Sequence, residues 1–172
     1  MKVDFESMRQ RYKPEIIKFL FIAEAPTKKK RFFYYDGINQ TVSPLFREIM
    51  KVVYPSDYSN IKDVRQQKGK FLERFKNDGF YLIDASNKPM IDNCKSKKKK
   101  QIKESLLSLI ERVKGLISKD TNIILISKTV YDICYESLRV EGFNVINKET
   151  IPFPSHGWQK EFRRKLSLLL KR

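Results

Sequence analysis

Cysteine, histidine, tryptophan and long apolar runs are scarce in this 172-residue chain, and each shortage removes a class of protein. Two cysteines, Cys94 and Cys134, are too few for a disulfide framework or a four-thiolate cluster site. One histidine, His156, with no His/Asp cluster to accompany it, argues against a metal centre. No apolar stretch approaches the roughly 20 residues of a spanning helix, so no membrane is expected. Six glycines form neither a P-loop nor a dinucleotide fingerprint. The first 13 residues, MKVDFESMRQRYK, carry acids and no apolar core, so no secretory leader is expected. A reduced, cytoplasmic setting with no metal and no redox cofactor is the simplest expectation.

Cations, by contrast, are in excess. Thirty-six Lys and Arg stand against 20 Asp and Glu, a net charge of +16. A field of that sign attracts polyanions and speeds their encounter, with nucleic acid the leading partner. Lysine-rich composition without a function is the competing explanation. Hydrophobic content of 41% and aromatic content of 12% argue for a folded chain, and the length suits one domain over 1–172, expected to be monomeric.

Patterning divides the chain into alternating elements. IIKFLFIA (16–23), FYLID (80–84), NIILIS (122–127) and FNVI (143–146) read as short buried strands. Ser43-Pro44 caps a helix over PLFREIMKVVY, and Asp63 to Lys76 reads as a second, ended by Gly79. The run KSKKKKQIKESLLSLIERVKGLI becomes amphipathic, with Leu106, Leu109, Ile110, Val113 and Ile117 at helical spacing. TVYDICYESLRVEG is a helix stopped by Gly142, and GWQKEFRRKLSLLLKR a basic C-terminal one. Short strands separated by helices imply an α/β fold, a three-layer α/β/α arrangement around a four-stranded parallel sheet. In such sheets ligands bind beyond the carboxyl ends of the strands. Glu24, Asp84, Ser127 and the FPSHG loop all fall there.

Each of these stretches has a chemical and a plain structural reading. In Ala23-Glu24-Ala25-Pro26, small residues allow a close backbone approach and the carboxylate can orient water or face a developing cation. Equally, Glu24 can simply pair with Lys28, Lys29, Lys30 or Arg31. Among the rings that follow, Phe33 or Tyr34 is the candidate stacking face for a base, a contact worth about 1–3 kcal/mol, although rings here also suit a core. Asp36 is a second acid for the same pocket. Asp84 can accept from a base's exocyclic amine, or cap a turn. The segment IPFPSHGWQ concentrates two prolines with His156, Gly157 and the only tryptophan ahead of a basic helix. Ser155 and His156 can contact an anion or a base there, and the helix amides a phosphate. Lys97, Lys98, Lys99 and Lys100 read as phosphate-backbone contacts or as a solvated helix start.

Collinear with these positions, FIAEAP resembles the GEAPG form of the first motif of the uracil-DNA glycosylase superfamily. GFYLIDAS resembles its second strand, and IPFPSHGWQKEF its HPS loop with the following helix. The resemblance runs over nearly the whole chain. It implies a four-stranded parallel sheet whose edge holds a base flipped from DNA, duplex or single-stranded. It further implies hydrolysis of the N-glycosidic bond of an altered base, with Glu24 or Asp36 stabilising the sugar cation or orienting water. Ala25, Phe33, Tyr34 and Asp84 would then contact the base. Lys28, Lys29, Lys30, Arg31, Lys97 to Lys100, Ser155 and Gly157 would contact the strand. The sequence departs from the pattern at Ala23 and Thr27, where glycines are usual, and at Phe153, where many members carry a histidine. His156, three residues later, is the substitute on offer. Asp84 replaces the usual asparagine, which disfavours uracil, and two cysteines exclude the iron–sulfur site of some relatives. A binding module without catalysis on the same scaffold is the alternative; a nucleotide or small-phosphoester hydrolase is a third.

Overall fold

Burial decides how much of each apolar run becomes strand. In the computed structural model, residues 2–58, 61–90 and 94–171 are described, without the side chains of 61–63. Ile16 is exposed, and Lys18 N donates to Gly79 O (2.8 Å), so the first run enters the sheet only at Phe19. Strand β1 is Phe19–Ala23, β2 is Phe80–Asp84 and β3 is Asn122–Leu125, parallel and ordered β2-β1-β3. Phe19 pairs with Phe80 and with Asn122, and the register continues to Ala23 opposite Asp84.

Seven α-helices surround this sheet among the described residues: α1 Phe5–Arg11, α2 Pro44–Val53, α3 Ile61–Gln66, α4 Lys68–Asn77, α5 Lys95–Leu116, α6 Lys128–Val140 and α7 Gln159–Leu170. Alternation along the strands assigns them to two faces. Phe21 and Phe80 stack with Phe75 of α4 at 6.0 and 5.1 Å, and Phe33 carries that cluster on to Phe46 of α2 (5.2 Å). Tyr81 and Ile83 look the other way, toward Arg112 and Leu116 of α5. Each buried ring or aliphatic side chain contributes about 1.5–3 kcal/mol relative to exposure. Glu48 clasps α2 to α7: it is buried, yet bonds from Arg163, Arg47 (3.1 Å) and Lys51 (3.2 Å) hold its carboxyl below the usual range against the push of burial. No helix of the described residues is long and apolar enough to cross a membrane.

Three expectations need correction. The segment 143–146 is not a strand; its only ladder contact is a bridge from Val145 to Ile123. Beyond that bridge a side chain replaces the backbone, since Asn147 Oδ1 accepts from Leu125 N (3.0 Å) and its Nδ2 donates to Leu125 O (3.1 Å). The helix expected over 63–76 is two helices, broken at Gln67, and Lys68, first in the second, turns inward and donates its ammonium to Phe32 O (2.9 Å). An N-terminal helix, α1, was not expected. Asp4 caps it by accepting from Ser7 N (3.0 Å), with Glu6 in its first turn and Arg9 and Arg11 in its last, as the dipole favours.

Candidate functional site

Hydrogen bonds past the strand ends show which loops share an edge. Ala85 N donates to Ala23 O (2.8 Å), Ser86 N to Glu24 O (3.0 Å) and Ile126 N to Ile22 O (2.9 Å). Ser127 N then donates to Ile151 O (2.9 Å), tying the 151–158 segment to the same edge. Glu24, Asp84, Ser127 and the loop of His156 therefore follow strand ends along one side of the sheet.

Glu24 is 20% exposed, and Lys98 Nζ lies 3.7 Å from its carboxylate. That ion pair joins the first turns of α5 to the loop after β1. Lys28, Lys29, Lys30 and Arg31 are exposed nearby in sequence, the last three in a single 3₁₀ turn, with Lys29 over the Tyr35 ring (5.5 Å). Lys97, Lys99 and Lys100 are exposed on α5. Five lysines in the first two turns, Lys95 and Lys97 to Lys100, oppose the helix dipole. Ala25 is half-buried beside Glu24. His156 and Gly157 occupy the tip of a turn with left-handed φ of 50° and 92°, closed by Trp158 N donating to Ser155 O (3.1 Å). His156 is exposed, Ser155 is half-buried, and Trp158 presents 57% of its surface.

Phe33 and Tyr34 are core residues, which corrects their reading as a stacking face. Phe33 packs among Phe46 and Phe75, and the Tyr34 hydroxyl is spent on the sheet: it accepts from Leu82 N (2.6 Å) and donates to Leu82 O (2.9 Å). Asp36 does not share Glu24's surroundings. Arg11 Nη1 (3.3 Å) and the Tyr12 hydroxyl hold it, at the C-terminal end of α1.

Asp84 is committed as well. Its carboxylate, 5% exposed, accepts from Arg9 Nη2 (3.0 Å), itself 4% exposed. Burial pushes the carboxyl up to about 6, against the pull of Arg9. Arg112 donates Nη1 to Asp84 O (2.8 Å) and Nη2 to Ala85 O (2.7 Å), and burial together with Arg9 pushes its guanidinium down. Lys68, buried under Phe32 and over the Phe46 ring (5.1 Å), is pushed down to about 8 by the same loss of water.

Arg9, Arg112, Tyr81 and Lys68 escaped the sequence reading, although two left a trace. Arg112 lies three residues after Leu109 and four before Leu116, on the apolar stripe of α5. Arg9 stands four after Phe5 on the packed face of α1. A cation on an apolar stripe is the signal in both cases. An open depression of about 620 Å³ runs along α4 between Tyr12 and Asn77 and takes in none of the expected site residues. Among the described residues no group of three or more His, Cys, Asp or Glu is placed to hold a metal. The sequence matches no family model and no curated protein.

Proposed function

We propose that this chain is a DNA-binding protein of the uracil-DNA glycosylase type, hydrolysing the N-glycosidic bond of an altered base at the carboxyl edge of its sheet. One observation carries the reading: Glu24 stands partly exposed just past β1, with Lys98 of a separate helix drawn against it. A partly exposed carboxylate beside a cation suits a reaction that passes through a sugar cation held between phosphates. The resemblance of FIAEAP to the family's first motif falls on the same residue, and 143–146 is read as a vestige of the family's fourth strand.

In this mechanism the lysines of 28–30 and 97–100 neutralise phosphates, a sequence-independent and salt-sensitive attraction. Glu24 stabilises positive charge on the sugar as the base departs, then orients the water that adds to the same carbon. His156, at the tip of the neighbouring turn, donates toward the leaving base. Extraction of the base costs a few kcal/mol, offset by phosphate contacts and by Trp158, whose exposed ring replaces Phe33 and Tyr34 as the stacking candidate.

A binding module without turnover is the second reading. It is favoured by the commitment of Asp84 to Arg9 and of Tyr34 to Leu82, which leaves neither free for a base. Oligonucleotides bearing single deaminated, oxidised or alkylated bases, in duplex and single-stranded form, separate the two. Turnover leaves abasic sites that alkali converts to breaks, and Glu24→Gln is expected to reduce them at least tenfold with unchanged DNA affinity. Binding that falls steeply with salt, with no abasic product at high protein concentration, selects the module instead.

A further inference from the structure

Three buried polar atoms have no hydrogen-bond partner among the described residues: Arg9 Nε, the Tyr81 hydroxyl and Arg112 Nε. Such groups are almost always paired in protein interiors, so each exception calls for an explanation, an unseen water or ion among them. All three residues line one cavity of about 210 Å³ between α1, β2 and α5.

Both guanidinium groups are already anchored by their terminal nitrogens. Arg9 donates to Glu6 (2.5 Å) and Asp84 (3.0 Å), and Arg112 donates to the Asp84 and Ala85 carbonyls and to Asn87 Oδ1 (2.9 Å). On each, the Nε–H is left with no acceptor among the described residues. Arg112 bonds only neutral acceptors, and among the described residues no carboxylate lies within salt-bridge distance of it. Two positively charged groups, whose charges Glu6 and Asp84 already attract, therefore each present an Nε–H with no acceptor among the described residues to one cavity.

We propose that this cavity binds a small oxyanion, whose oxygens accept from Arg9 Nε, Arg112 Nε and the Tyr81 hydroxyl. Oriented, charge-assisted donors of this kind are the chemistry by which arginine recognises carboxylate and phosphate. The volume lies below the roughly 300–1,000 Å³ of pockets for larger organic ligands, which selects inorganic phosphate or a short carboxylate over a nucleotide. Glu6 and Glu111 also border the cavity. Glu6 is occupied by Arg9 and Gln10 (2.7 Å) and Glu111 by Lys114 (3.5 Å), and their presence favours a singly charged anion. Water in the same place would pair the donors but give no saturating response to an anion. Glu24 does not line this cavity, so the site stands or falls independently of the glycosylase reading.

Thermal unfolding of the full chain, titrated with inorganic phosphate or with acetate at ionic strength held constant by chloride, tests the site. The expected result is a rise in Tm that saturates with one or both anions; which of them acts identifies the ligand as tetrahedral or planar. Tyr81→Phe keeps the ring's packing and is expected to fold normally while weakening the anion by about 10-fold or more, the loss of one hydrogen bond to a charged acceptor. Arg112→Lys is expected to weaken it more. Replacing Lys97, Lys98, Lys99 and Lys100 by serine should leave the affinity unchanged, since surface lysines take no part. The proposal is overturned if neither anion gives a saturating shift, if Tyr81→Phe binds as well as wild type, or if the serine variant loses the effect.

Discussion

The two edges of the sheet face one problem and solve it differently. A three-stranded parallel sheet leaves N–H and C=O groups unpaired along both outer strands, a hazard if exposed and a penalty if buried. At β3 the answer comes from nearby sequence and is neutral: a backbone bridge at Ile123, then one side chain. Asn147 closes on Leu125 and spends its remaining donor on Glu149 O (3.1 Å), so no polar atom is left over. At β2 the answer is assembled from distant segments: Tyr34 on Leu82, Arg112 on Asp84 and Ala85, and Arg9 on the Asp84 carboxylate. That edge brings charge inside and finishes with three atoms that have no partner among the described residues. A self-sufficient cap is structure alone, whereas a cap with surplus donors is also a place for a ligand.

The strongest way to break the comparison is at the charged edge. Arg9→Met strands Asp84 without its cation and is expected to destabilise the fold by about 3–5 kcal/mol, measured by urea unfolding at neutral pH. Adding Asp84→Asn should recover at least half of that loss. If the single variant costs no more than a surface substitution, the β2 edge is not held by this pair.

Next in size is the neutral edge. Asn147→Ala removes the partner of both Leu125 N and Leu125 O, and each buried group left unsatisfied costs about 1–3 kcal/mol, so a loss of about 2–4 kcal/mol is expected. Tyr34→Phe makes the equivalent change at Leu82 and should cost a similar amount. A much smaller loss for Tyr34→Phe would mean that water reaches β2, and the two edges would differ in wetness rather than in charge.

The smallest effect separates the edges by pH. The folded carboxyl of Asp84, pushed from an ordinary 3.8 to about 6, binds its proton more tightly than in the unfolded chain. Its stabilising contribution is therefore complete below about pH 4 and is lost as pH rises through about 6. Relative to Asp84→Asn, the wild-type unfolding free energy should fall by about 1–3 kcal/mol over that window. Asn147→Ala should show the same fall as wild type, because its edge carries no titrating group. A wild type that parallels Asp84→Asn across this window would place the Asp84 carboxyl in its ordinary range.

How much of this was legible depended on whether the signal was local. FYLID is the strand its composition indicates, Ser43-Pro44 opens a helix, and Gly142, at a φ of 86°, follows the end of α6. The α1 cap was present in Asp4 and Ser7 but too short to declare itself by apolar periodicity. Phe33 and Tyr34 were misjudged because rings that follow a proline and a lysine cluster can face water or core equally well. Only the apposition of Phe46, Phe75 and Leu82 sends them inward. The fourth strand is cut to one bridge for a related reason, since nothing in FNVI announces that the Asn147 side chain will pair Leu125 where the backbone ladder would continue. The carboxyl-edge site stands between these extremes: Glu24 and the lysine clusters follow from the chain, their meeting at Lys98 does not.

By itself the sequence determined the charge, the alternation of strand and helix, and the candidate groups at strand ends. These depend on composition and on spacings of a few residues. Tertiary structure alone decided that Asp84 is an internal anion, that Tyr34 is a surrogate strand partner, and that Arg9 and Arg112 share a cavity. Those facts depend on groups far apart in the chain meeting where water is excluded, and in that setting a charge or a donor is defined by its neighbours.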